Sequence, residues 1–199
     1  VEAHCRRWDD LARAVYFGVA TRRAGAGGGK REHLAELCAV WVDIDCYKLD
    51  LSKENACIAL FALPIPPSVY VDSGGGIHAY WLLTEAVDVS QENRDWPKIE
   101  LRLVSVLKQL AGVVTGDLAV CDLARILRLP GTHNTKAGTL RLVTVLPCST
   151  WTRYELGDIE DMLAVQRPVL IAPLSNGHAK ATVDDNPFLA AARALTFKP

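Results

Sequence analysis

The sequence predicts a mixed α+β domain, an antiparallel or mixed sheet flanked by helices, and three observations carry that reading. The run Ala39 to Asp45 (AVWVDID) is apolar and ends in alternation, the pattern of a buried central strand with two acids at its end. Ser68 to Asp72 and Ile77 to Leu83 bracket Ser73-Gly-Gly-Gly76, which reads as a β-hairpin. Runs of helical period lie between and after these strands, the longest from Gln91 to Leu110.

In chain order, Trp8 to Val15 predicts a short helix and Val15 to Ala20, rich in aromatic and β-branched residues, a strand. The glycine-rich stretch Ala24 to Lys30 ends in Gly-Lys. Arg31 then stands where a phosphate-binding loop needs a serine or threonine hydroxyl, so a flexible connector is expected. Ser52 caps a helix running through Ala62, which Pro64, Pro66 and Pro67 terminate. Pro97 falls in an early turn of the 91–110 pattern and is expected to split it. Leu140 to Leu146 predicts another strand and Tyr154 to Ala164 a short acidic helix. The expected division is one main domain over residues 1–166. A linker rich in Pro, Ser, Asn and Gly follows over 167–199, with a short helical patch from Asn186 to Leu195 leading toward a missing downstream region.

The chain has 199 residues, half of them apolar, which supports one sizeable core. A formal net charge of -1 excludes a whole-chain electrostatic attraction to nucleic acid, so any such surface must be local. The six cysteines form no C-x-x-C pair and no apolar leader opens the chain, which points away from zinc ribbons and secretion toward reduced thiols in the cytoplasm. Apolar stretches such as Ala56 to Pro67 are broken well short of a membrane span, so no membrane partner is expected.

Three constellations carry chemistry. Asp43 and Asp45 sit two apart on a strand, which projects both carboxylates to one side and suits divalent cations. The bland alternative is an acid pair that merely caps the next loop. Against it, ionised carboxylates beside a buried strand repel and pay desolvation unless a cation compensates them. The second constellation is the segment Val71 to Trp81 (VDSGGGIHAYW). Gly74, Gly75 and Gly76 permit close backbone approach to phosphate, Ser73 adds a hydroxyl, and His78 shares a strand face with Tyr80 beside the turn. The third, Gly116 to Lys136, gathers Asp117, Asp122, Arg125, Arg128, Asn134 and Lys136 around a Pro-Gly turn. Its guanidinium groups suit phosphates, and either Asp117 or Asp122 can supply a third carboxylate.

At these three places together, over about Tyr16 to Leu146, the chain resembles the archaeo-eukaryotic primase superfamily and, within it, the RepB-like and phage or plasmid primase-polymerase branch. The resemblance rests on the joint order of WVDID, SGGGIH and an acid ahead of RLPGTHNTK. It implies an RNA-recognition-type (RRM-like) catalytic core for residues 1–166 and a DNA-directed nucleotidyltransferase that makes or extends primers on single-stranded DNA, with Mg2+ or Mn2+ as cofactor. Asp43, Asp45 and Asp122 are the implied metal set, with Asp117 competing for the third place and His78 completing the catalytic group. Ser73, Gly74, Gly75, Gly76, His78, Arg125, Arg128, Asn134 and Lys136 are the implied contacts to NTP or dNTP, and a helicase outside this chain is a fitting partner. A two-metal nuclease and a non-catalytic nucleic-acid-binding replication-initiation module are the alternative readings.

Overall fold

The computed structural model describes residues 1–165; the linker and helical patch expected beyond them lie outside the described residues. Among the described residues four α-helices and ten strands make the fold: α1 (Glu2–Asp10), β1 (Tyr16–Gly18), β2 (Ala20–Arg22), β3 (Leu34–Ile44), α2 (Lys53–Phe61), β4 (Val69–Asp72), β5 (Ile77–Asp88), α3 (Trp96–Val113), β6 (Ile126–Arg128), β7 (His133–Asn134), β8 (Arg141–Leu142), β9 (Thr144–Val145), β10 (Arg153–Tyr154) and α4 (Leu156–Val165).

The long strands β3 and β5 are the apolar runs that the sequence marks, and they pair antiparallel at the centre of the main sheet. Its order is β2-β3-β5-β4-β9, with β10 added parallel to β5. The mixed sheet flanked by helices is therefore the observed architecture. Register follows from the alternation of side chains. Asp43 lies opposite His78 and Trp41 opposite Tyr80, so these four share one face, while Val42, Ala79 and Tyr70 share the other. Phe61 of α2 stacks on Tyr70 at 4.8 Å between ring centroids, which puts α2 over that second face; α3 packs on β3, and α4 on α3. Trp41, Trp81, Tyr70, Leu103, Leu107 and Leu110 are fully buried in the resulting core. The first face is overlaid by a small two-stranded sheet, β1 with β6, through Phe17, whose ring lies 6.3 Å from that of Tyr80.

Several boundaries differ from expectation for local reasons. The first helix ends at Asp10 rather than running to Val15, because Ala12 takes a left-handed conformation (φ 54°) and turns the chain. The single strand expected over Val15 to Ala20 is two strands with different partners, β1 on β6 and β2 on β3. Residues 140–146 likewise divide, β8 pairing with β7 and β9 with β4. Pro97 does not split a helix. It occupies the first turn of α3, where its missing N–H leaves no bond unmade, and α3 simply begins at Trp96. Arg125 immediately precedes the extended strand β6 and Arg128 ends it.

The predicted cap on α2 is present: the Asn55 amide donates to Ser52 Oγ at 3.1 Å. Replacing Ser52 by Ala is expected to lower stability by about 1 kcal/mol, seen as a lower urea midpoint with unchanged slope. No helix among the described residues is long and apolar enough to cross a membrane.

Candidate active site

Asp43 is the penultimate residue of β3 and Asp45 opens the turn that follows it. The turn is held against the hairpin tip, the Tyr47 amide donating to the Gly75 carbonyl at 3.2 Å. Gly76 is required here by packing: a Cβ at that position would stand 2.0 Å from the Ile44 carbonyl oxygen. Gly74 is required by conformation (φ 86°) and by the side chains of Asn134 and Arg141 pressed against it.

The third acid arrives from the end of α3. Thr115 takes a left-handed conformation, the Gly116 amide donates back to the Ala111 carbonyl at 2.7 Å, and the chain reverses toward β3. The Asp117 amide then donates to the Asp43 carbonyl oxygen at 2.7 Å, which places Asp117 beside the acid pair. Asp117 Oδ1 caps the Ala119 amide at 2.8 Å and Oδ2 faces the Lys48 ammonium at 3.9 Å.

Electrostatics show that these acids feel one another. Burial, then the charges of Asp45 and Asp117, push Asp43 up to about 6, with Lys48 and Arg125 opposing. Burial also pushes Asp45 upward, but hydrogen bonds from the Lys48 side chain and amide outweigh it and hold the group below the usual carboxylate range. Asp122 stands elsewhere. Its Oδ1 accepts from the Ala124 amide at 3.1 Å and from the Arg31 guanidinium at 3.2 Å, and Arg31 in turn pairs with Glu100 of α3. Of the two aspartates competing for the third place, the fold brings Asp117 to Asp43 and ties Asp122 into an ion-pair network.

His78 lies beside Asp43, Nε2 to Oδ1 3.8 Å, and is buried. Burial, then the charge of Arg128, push it down to about 4, so the ring is neutral near pH 7. Tyr80, whose hydroxyl burial keeps protonated, lies with Oη 3.4 Å from His78 Nδ1; donation in that sense leaves the proton on Nε2, the nitrogen nearer Asp43. Arg128 rests over the Tyr16 ring at 5.3 Å, and its Nη1 is buried without a hydrogen-bond partner, an arrangement that suits an incoming anion. Lys136 is exposed and close enough to act electrostatically on Asp45.

The remaining candidates brace the loop. Ser73 Oγ donates to the Gly76 carbonyl at 3.0 Å, the Gly74 amide donates to Asp72 Oδ1 at 2.7 Å, and Asn134 Nδ2 donates to the Ser73 carbonyl at 2.7 Å. Sequence reasoning missed Arg141, which donates to the Gly74 carbonyl at 2.9 Å, and Lys48, whose ammonium lies 2.9 Å from Asp45 Oδ2. Arg141 carries no local signal. Lys48 does, being three residues after Asp45 in a turn, the spacing at which side chains meet.

The donor chemistry suits a hard divalent cation, since Asp43, Asp45 and Asp117 would offer carboxylate oxygen and the charge on Asp43 is incompletely compensated. Among the described residues, no three His, Cys, Asp or Glu side chains already converge on one ligating point.

No protein-family model matches the chain. A curated "Replication protein" from Clostridium perfringens is 30% identical over 114 residues, 55% of this chain and 27% of that protein, so the chain spans about a quarter of the relative's length. Among solved structures, the AEP domain of the cyanophage S-2L primase-polymerase superposes with a TM-score of 0.63 at 20% identity, covering 82% of this chain and 77% of that one. A catalytic domain of primase RepB' in complex with initiator DNA gives 0.48 at 17% identity, over 81% and 70% of the two chains. The fold of residues 1–165 is thus of the primase-polymerase type that the sequence resembles.

Proposed function

We propose that this primase-type fold houses a metal-dependent nucleotidyltransferase, which joins NTP or dNTP into primers, or extends primers, on a single-stranded DNA template. The observation that carries the reading is the delivery of Asp117 to Asp43 by a backbone hydrogen bond, which assembles three acids at the end of β3 beside a neutral histidine and an arginine with an unmatched N–H. Asp43, Asp45 and Asp117 would hold Mg2+ or Mn2+, and the metal would supply Lewis-acid activation of the triphosphate and of the attacking 3'-hydroxyl.

The chain's own residues account for the rest. His78, neutral and with its proton on Nε2, donates to a phosphate oxygen without adding charge next to Asp43. Arg128, its guanidinium partly unsatisfied, and Lys136 at the rim offset the triphosphate's negative charge. Arg125, whose Nη2 is engaged by the Ala119 carbonyl, acts on Asp43 through its charge and holds the 118–120 turn in place. Ser73, Asn134 and Arg141 keep the glycine turn in shape.

Asp117 and Asp122 provide the test. Labelled-nucleotide incorporation on a primed single-stranded template is expected to fall by at least about a hundredfold in Asp117→Asn. In Asp122→Asn, whose carboxylate serves Arg31, it is expected to stay within about threefold of wild type. The reverse order would place the third ligand at Asp122 and contradict this assignment.

A further inference from the structure

The carboxylate cluster already contains a cation, and it belongs to the chain. Lys48 sits in the turn after Asp45, and it satisfies that acid twice: its amide donates to Oδ1 at 3.3 Å and its ammonium lies 2.9 Å from Oδ2. The same ammonium reaches across to Asp117 Oδ2 at 3.9 Å, so it bridges acids that come from two distant parts of the sequence. Its charge also acts on Asp43. The side chain remains 63% exposed, so no packing locks it in place and solvent can take the ammonium at little cost.

We propose that Lys48 is a tethered stand-in for a divalent cation: it occupies the space between Asp45 and Asp117 when metal is absent, competes with free metal for those oxygens, and passes to the triphosphate when metal and nucleotide bind. The proposal rests on the metal-site reading above. A monovalent ammonium neutralises part of the acid cluster but offers no coordination, so a divalent ion displaces it by taking both carboxylates. A displaced ammonium on a flexible four-carbon stem needs another anion, and a nucleoside triphosphate bound against His78 and Arg128 brings one within its reach. Metal and nucleotide therefore favour each other's binding through Lys48, in addition to any direct bond between them.

Mn2+ binding to the 199-residue chain, followed by the electron paramagnetic resonance signal of free Mn2+, tests this without a turnover assay. The chains compared are wild type, Lys48→Met, Lys48→Gln and Asp43→Asn, each alone and with a non-hydrolysable nucleoside triphosphate. Without nucleotide, both Lys48 variants are expected to bind Mn2+ about fivefold more tightly than wild type, the scale of one exposed ion pair removed. The gain in Mn2+ affinity that nucleotide gives should shrink in them by a similar factor. Equal or weaker Mn2+ binding by both variants without nucleotide overturns the competition, and an undiminished nucleotide effect overturns the hand-over; the metal site itself survives either result. Mn2+ binding that Asp43→Asn leaves unchanged removes the metal-site reading, and this proposal with it.

Discussion

Asp43→Asn is expected to make the metal-free protein more stable at pH 7.5 while removing the nucleotidyl transfer proposed for it. In the fold this carboxyl is pushed up to about 6 by burial and by the neighbouring acids, against an ordinary value near 3.8. A raised folded-state value means that the native protein holds the proton more tightly than the unfolded chain. The stabilisation this gives is complete below about pH 4 and is lost as pH rises through 6. At pH 7.5 the ionised group opposes folding, and the neutral amide relieves a cost on the order of 2 kcal/mol. The side chain is 25% exposed, so the amide can still find water. Thermal unfolding should place the variant above wild type at pH 7.5 and level with it near pH 4. Added Mg2+ should raise the melting temperature of wild type alone. A variant less stable than wild type at pH 7.5 would mean that Asp43 is a structural acid, compensated by its surroundings, and would remove the physical reason for a metal there.

Gly76→Ala is expected to be the most damaging glycine-to-alanine change among the described residues. The added carbon would lie 2.0 Å from the Ile44 carbonyl oxygen and 3.0 Å from the Cys46 amide nitrogen, and both are backbone atoms of the turn that presents Asp45. Neither can withdraw without breaking the Ile44–Ile77 register at the end of β3 and β5. The expected cost is about 3 kcal/mol or more, read as a collapse of soluble yield or of the urea midpoint. Gly75→Ala is the control, because a Cβ there meets nothing within 4 Å. A Gly76→Ala protein that unfolds with the wild-type midpoint would show that the hairpin tip does not press on the β3 turn.

The parts of the fold that were legible in the sequence are those set by local pattern. AVWVDID reads as the central strand and Ile77 onward as another, with alternation giving the face of each side chain; that the two pair with Asp43 opposite His78 is a register only the structure supplies. Ser52 marks the start of α2 because a hydroxyl cap is a local interaction. α3 starts at Trp96 rather than at Gln91, although Gln91 to Asp95 has helical composition. Those residues instead form turns in which the Asp88 carboxylate accepts from the Ser90 amide and from Asn93.

The short strands β6, β7 and β10 could not be read, since two or three residues acquire strand character only from a partner far along the chain. The site divides in the same way. Asp43 and His78 stand on strands and Asp45 directly follows one, so local pattern marks all three. The choice between Asp117 and Asp122 turns on one hydrogen bond spanning residues 43 to 117, for which the sequence has no periodic signal. In the glycine turn, expected as a phosphate cradle, the Ser73 hydroxyl is engaged with the Gly76 carbonyl and the Gly74 amide with Asp72.

The most direct test of the central claim is incorporation of labelled NTP or dNTP on single-stranded DNA, with and without a primer and with Mg2+ or Mn2+, for wild type beside an Asp43→Ala, Asp45→Ala double variant. The expected result is metal-dependent synthesis by wild type and none by the double variant, with the preferred sugar separating primer synthesis from DNA extension. Synthesis that persists in the double variant would contradict it; so would metal-dependent loss of the template without incorporation, which is the behaviour of a nuclease.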